Sequence, residues 1–108
     1  MEYYIDPVVF IVGKTGGENR AVRNLLDLFA EGATIPFIAR YRKERTGSMD
    51  EVRIGEIEER YVQYKELEKR KTSVLETIGQ QEKLTSQLEK QIKECRELRT
   101  LEDIYLPY

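Results

Sequence analysis

The densest chemistry in this 108-residue sequence lies at Arg40-Tyr41-Arg42-Lys43-Glu44-Arg45, with four basic side chains in six and an aromatic among them. Guanidinium forks match phosphate geometry and a tyrosine face can stack a base. Arg40, Tyr41, Arg42, Lys43 and Arg45 are therefore the best candidate nucleic-acid contact in the chain. Arg20 and Arg23, on the preceding helix, either extend this patch or form a merely solvated face. The opposing reading of the cluster is structural: one or two arginines fold back onto carboxylates of the following helix, such as Glu51 or Glu58. Arg40, beside the apolar Phe37 and Ile38, is expected to take that structural role, with Arg42, Lys43 and Arg45 facing solvent.

Other chemistries find no footing. The sequence has no histidine, which removes Ser-His-Asp and Cys-His nucleophile systems and histidine metal ligands. Its single cysteine, Cys95, cannot build a zinc site or an internal disulfide and reads as a small apolar filler. Glu58 and Glu59 are neighbours on a helix and point apart, so they are no catalytic dyad. Gly13-Lys14-Thr15 looks like the end of a phosphate-binding loop, but the glycine needed five residues earlier is Val8, and a surface turn is the better account. No catalytic residue, metal site or cofactor is expected.

Charge refines the picture. The net charge is -2, from 18 basic and 20 acidic side chains, which argues against a generic basic nucleic-acid binder. Residues 1–48 carry 7 basic and 6 acidic groups, and residues 49–108 carry 11 and 14, so any phosphate contact should come from a local cluster in the first half. The longest apolar run, Val8 to Val12, falls far short of the ~20 residues that cross a membrane. The expectation is a soluble, cytoplasmic protein without a membrane partner.

The elements that must position the cluster read as helices. Val8 to Val12 is β-branched enough for a strand, yet no second strand candidate follows. Asp6 as cap, Pro7 at the first position and Gly13 as terminator favour a short helix. A second helix from Glu18 or Asn19 carries Ala21, Val22, Leu25, Leu26, Leu28 and Phe29 at helical spacing and closes at Gly32. Pro36 opens a third in which Ile35, Phe37, Ile38 and Tyr41 face inward, and Thr46-Gly47 ends it. The pair resembles a helix-turn-helix only weakly, because the start of its second helix reads as core, and backbone contact is more credible than base readout.

Ser48 with Glu51 forms a capping box for one long helix over about residues 49–80, nearly 50 Å at ~1.5 Å per residue. Glu56 with Arg60 and Glu66 with Arg70 are favourable i,i+4 pairs along it. Its apolar stripe thins from Lys65 to Thr72, where the helix is expected to cross solvent. Thr85 caps a following helix with Leu88, Ile92 and Cys95 inward, giving a helical hairpin, and Thr100 with Asp103 caps a last one. The predicted class is all-α, a bundle built around the long helix with a helix-turn-helix-like N-terminal part.

Residues 31–47, EGATIPFIARYRKERTG, resemble the signature of the N-terminal domain of the Tex family of bacterial transcription accessory proteins. The likeness continues through Asp50-Glu51-Val52, the Tyr64, Leu67, Arg70 and Lys71 region, Ile78, Leu84-Thr85 and LEDIYLPY at 101–108, and fades before residue 20. The resemblance implies a cytoplasmic, non-catalytic nucleic-acid-binding protein whose remaining domains, ribonuclease-H-like, helix-hairpin-helix and oligonucleotide-fold, lie outside this chain. On that basis residues 1–108 are expected to be a fragment of a larger protein. Its partners would be RNA or DNA, the transcription machinery and the remaining domains. Ile104, Tyr105, Leu106 and Tyr108 would form an inter-domain apolar surface that can drive self-association of the fragment. The competing expectation is a scaffold that positions other domains without touching nucleic acid.

Overall fold

The structure, a computed structural model, describes residues 4–108. They form seven helices and no strand: α1 Pro7–Thr15, α2 Asn19–Ala30, α3 Ile35–Tyr41, α4 Lys43–Thr46, α5 Glu51–Gln80, α6 Ser86–Glu94 and α7 Leu98–Tyr105. They group into two compact units, one of Pro7–Val62 and one joining residues 4–6 to Gln63–Tyr108.

In the Pro7–Val62 unit α1 packs on α2, and α2 and α3 both pack on α4. The short helix expected around Val8–Val12 is present but does not stop at Gly13. One interior glycine costs a helix only about 1 kcal/mol, and α1 runs on until Gly16 takes the left-handed conformation at φ 73°. Its inward residues Val8, Phe10 and Ile11 meet the α2 stripe of Ala21, Val22, Leu25, Leu26 and Leu28. α2 ends as its sequence predicts. Gly32 sits at φ 84°, its N–H donates to Phe29 O at 2.9 Å, and the Ala33 N–H donates to Leu28 O at 3.1 Å, which satisfies carbonyls the helix leaves open. Thr34 caps α3 by accepting the Phe37 N–H.

The start of α5 differs from expectation. Gly47 and Ser48 are both left-handed, at φ 70° and 67°, and the Ser48 N–H closes onto Lys43 O at 2.9 Å to finish α4. An N-cap needs an extended backbone, so Ser48 cannot serve. Asp50 does so instead, its Oδ1 accepting the Arg53 N–H at 2.8 Å.

In the other unit the apolar core is Tyr64, Leu67, Val74, Ile78, Ile92, Cys95 and Leu101. The Lys65–Thr72 stretch, expected to cross solvent, carries two of the most deeply buried side chains in the chain: Glu68 is 1% exposed and Lys71 0%. Glu68 Oε1 accepts the Ile5 N–H at 3.0 Å, Glu68 Oε2 faces Lys71 Nζ at 3.5 Å, and Lys71 Nζ donates to Lys93 O at 2.8 Å. The Tyr64 hydroxyl donates to Ile5 O. Burial pushes the Lys71 ammonium below the ordinary lysine value, against the pull of Glu68. The Lys71–Lys93 bond spans the turn between α5 and α6 and folds the two back on each other, with Thr85 capping α6 through the Leu88 N–H at 3.1 Å.

Arg70 does not rely on Glu66. It reaches Glu102 of α7 with Nε at 2.6 Å and Nη2 at 3.2 Å, and this bond raises its own pKa and lowers that of Glu102. Glu56 pairs with Arg53, at 3.4 Å. α7 begins at Leu98, two residues before the predicted Thr100 cap, so Thr100 lies inside the helix and Leu101 packs into the core.

Candidate nucleic-acid interface

The six-residue cluster falls on α3, α4 and the kink between them. α3 is only 7 residues long, and the narrow sector it turns to the core is filled by Ile38, fully buried. Phe37 and Tyr41, expected inward, sit four residues apart on another side and are 40% and 56% exposed. Their rings lie 5.3 Å apart at 49°, close enough to form one aromatic surface. Ile35 is half-buried.

The arginines organise around these rings. Arg42 leaves the helix at φ -128°, donates from Nη1 to Tyr41 O at 2.9 Å, and lays its guanidinium over the Phe37 ring at 5.0 Å. Arg40 lies over Tyr41 at 5.8 Å. The result is a row of guanidinium, ring, ring and guanidinium, held by cation–π attraction. The expected roles are exchanged: Arg40 is exposed, while Arg42 is half-buried and fixed in place. Among the described residues the partners of Arg40 and Arg42 are rings and a carbonyl, not Glu51 or Glu58. Lys43, next along the chain, is exposed.

Arg45 belongs elsewhere. Its carbonyl accepts from Asn24 Nδ2 at 2.9 Å, and its side chain lines a groove with Arg20, Glu18 and Glu44, where acids balance the two cations. Arg23 is exposed on α2. The predicted patch therefore resolves into an aromatic–cationic face of Phe37, Arg40, Tyr41 and Arg42 and a mixed-charge groove at Arg20 and Arg45. The first face also borders a groove of about 500 Å³ floored by Leu28, Ala33 and Phe37. Phe37 is the residue that sequence reasoning assigned to the core; its i,i+4 spacing to Tyr41 is the signal that pairs them.

Gly13-Lys14-Thr15 is the last turn of α1, the carbonyl end of a helix and the wrong polarity for a phosphate. Its charges complement that end: Arg53 Nη2 donates to Thr15 O at 3.1 Å, and Lys14 lies over the Phe10 ring. Cys95 is buried, donates from Sγ to Gln91 O at 3.2 Å, and has its thiol pKa pushed up by burial, the opposite of an activated nucleophile. At the C-terminal end Ile104 and Tyr105 are half-buried, with Arg70 over the Tyr105 ring at 5.1 Å, and Leu106 and Tyr108 are exposed. No described helix is long and apolar enough to cross a membrane.

Residues 6–79 match the family described as the Tex-like protein N-terminal domain. The chain is 44% identical over 98 residues to the uncharacterized protein YdcI of Bacillus subtilis, covering 91% of this chain and 14% of that protein. It is 47% identical over 83 residues to the transcriptional accessory protein Tex of Neisseria gonorrhoeae, covering 77% and 11%. A more distant relative, at 29% over 103 residues, is the human S1 RNA-binding domain-containing protein 1, of which 10% is covered. The chain thus spans only about a tenth to a seventh of the length of these relatives.

Proposed function

Because this chain belongs to the Tex-like protein N-terminal domain family, we propose that it is a non-catalytic, cytoplasmic module that binds RNA or DNA through the α3–α4 face. It is one part of a larger transcription accessory protein. The observation that carries this reading is the row of exposed Arg40, Tyr41 and Phe37 with half-buried Arg42, whose cations are held against rings rather than neutralised by carboxylates. Arg40 and Lys43 supply exposed positive charge for phosphates, Arg42 a fixed fork, and Tyr41 a face for a base or sugar. Arg45, Arg20 and Arg23 add weaker, longer-range attraction, because Glu18 and Glu44 stand beside the first two. The names of the relatives, an accessory protein of transcription and an RNA-binding protein, agree with this reading. A buried, raised-pKa thiol and a sequence without histidine support a non-catalytic role.

Titration of labelled single- and double-stranded RNA and DNA against the chain tests the proposal. Binding that weakens steeply with salt, and weakens again in folded Arg42→Ala and Lys43→Ala variants, is the expected result. Absence of binding at low salt would defeat it. That outcome would favour the second reading, a scaffold for the remaining domains, which has its own observation: Leu106 is 83% exposed at the end of α7 beside exposed Tyr108.

A further inference from the structure

We infer that residues 4–6 are a strap, latched by a buried polar site on the second half of α5, and that the packing of Gln63–Tyr108 depends on it. The strap is short and has no secondary structure to hold it. Its attachment is instead a set of specific bonds to side chains that are themselves buried. The Ile5 N–H donates to Glu68 Oε1 at 3.0 Å and the Ile5 carbonyl accepts from the Tyr64 hydroxyl, so one residue is held by both its backbone donor and its backbone acceptor. Lys93 of α6 lies over the Tyr4 ring at 5.5 Å. Glu68, Tyr64 and Lys71 are each at most 1% exposed.

The latch matters in both directions. A carboxylate buried this deeply is costly without hydrogen bonds; the Ile5 N–H supplies one to Oε1, while Oε2 has no hydrogen-bond partner among the described residues and relies on the Lys71 charge. If the strap leaves, Glu68 keeps a single cationic neighbour at 3.5 Å and Tyr64 loses the acceptor of its hydroxyl. Lys71 is in turn the donor that ties α5 to Lys93 O of α6. Strain at Glu68 is therefore passed to the α5–α6 hairpin. The Ile5–Tyr64 bond also closes a loop of 59 residues. Loop closure opposes it less when the intervening Pro7–Val62 is folded than when that chain is free, so the latch and the folding of Pro7–Val62 favour each other.

Native-state amide hydrogen exchange on the whole chain tests this. The Ile5 amide is expected to be protected, and to exchange at least about tenfold faster in Tyr64→Phe, which keeps the ring and removes only the donor. Deletion of residues 1–6 is expected to speed exchange at Leu67–Val74 and Ile92–Cys95 by a similar factor. In Ile38→Ala, which loosens Pro7–Val62, Ile5 protection should fall as well. Exchange of Ile5 at the rate of a free peptide in the unaltered chain would overturn the inference. So would protection of α5 and α6 that the deletion leaves untouched. Should the deletion prevent folding, Tyr64→Phe decides alone: unchanged exchange at Ile5 rejects the latch.

Discussion

The chain holds its cations in two contrasting ways. At the end of α3, exposed Arg40 and half-buried Arg42 lie against the rings of Tyr41 and Phe37, with most of their donors left to solvent or a ligand. On α5, Lys71 is fully buried and committed to Glu68 and to Lys93 O. Residue character alone suggests the reverse: IPFIARY reads as a core helix, and KELEKRKT as a solvated one. The difference shows that a side chain's place follows from what the rest of the fold offers it. α3 is too short to bury more than one sector, whereas Ile5 and Lys93 bring a donor and an acceptor to the charged stretch of α5.

The contrast can be broken at its strongest point first. Glu68→Leu leaves the Lys71 ammonium buried without its counter-charge, and urea unfolding should show a loss of about 3–5 kcal/mol. The double variant Glu68→Leu, Lys71→Met removes both charges and should recover most of that loss, because replacing a whole buried pair by apolar groups is often neutral. On α3, Ile38→Ala should cost about 2–5 kcal/mol, as for other fully buried aliphatic side chains. Phe37→Ala, a larger truncation of an exposed ring, should cost less than Ile38→Ala in the same measurement. Equal losses would mean the surface assignment of Phe37 is wrong.

A gentler test uses pH. Lys71 binds its proton less readily in the folded chain than in the unfolded one, since burial lowers its pKa. Between that lowered value and the ordinary lysine value near 10.4, the unfolded state carries the extra proton, so this group makes stability rise with pH through that window. The denaturant midpoint of the wild type, measured relative to that of Lys71→Met, should rise from neutral pH to pH 10. A difference that does not change with pH would contradict the assignment. The smallest effect is expected at Arg42→Ala, within about 0.5 kcal/mol of wild-type stability, as for surface substitutions generally.

Much of this architecture is legible in the sequence where the signal is local. The α2 stripe with its Gly32 terminator, the Thr85 cap and the length of α5 depend on residues within a turn or two of each other, and each is found as read. Misreadings arise where a distant or competing contact decides. Ser48 is drawn into the turn that ends α4, so Asp50 becomes the cap. Thr100 fails as a cap because α7 starts earlier to seat Leu101. Lys71 continues the buried spacing 64, 67, 71, 74, 78, a three-four alternation that marks it as inward despite its charge. The partners that make this pair tolerable, Ile5 on Glu68 and Lys93 on Lys71, are 63 and 22 residues away and leave no mark in the local pattern. The basic cluster is plain in the sequence, but its division into a ring-supported face and an acid-balanced groove follows from the kink at Arg42.

Under the proposed function the ring-supported cations Arg40 and Arg42, with Lys43 beside them, contact phosphates. The most direct measurement is the slope of log affinity for labelled RNA and DNA against log salt concentration, for the wild type and for a folded Arg40→Ala, Arg42→Ala, Lys43→Ala triple variant. Each phosphate contact contributes about 0.7 to 0.9 to the steepness, so the triple variant should bind more weakly with a slope shallower by about 2 to 3. An unchanged affinity and slope in the folded variant would contradict the account and move any binding away from this face.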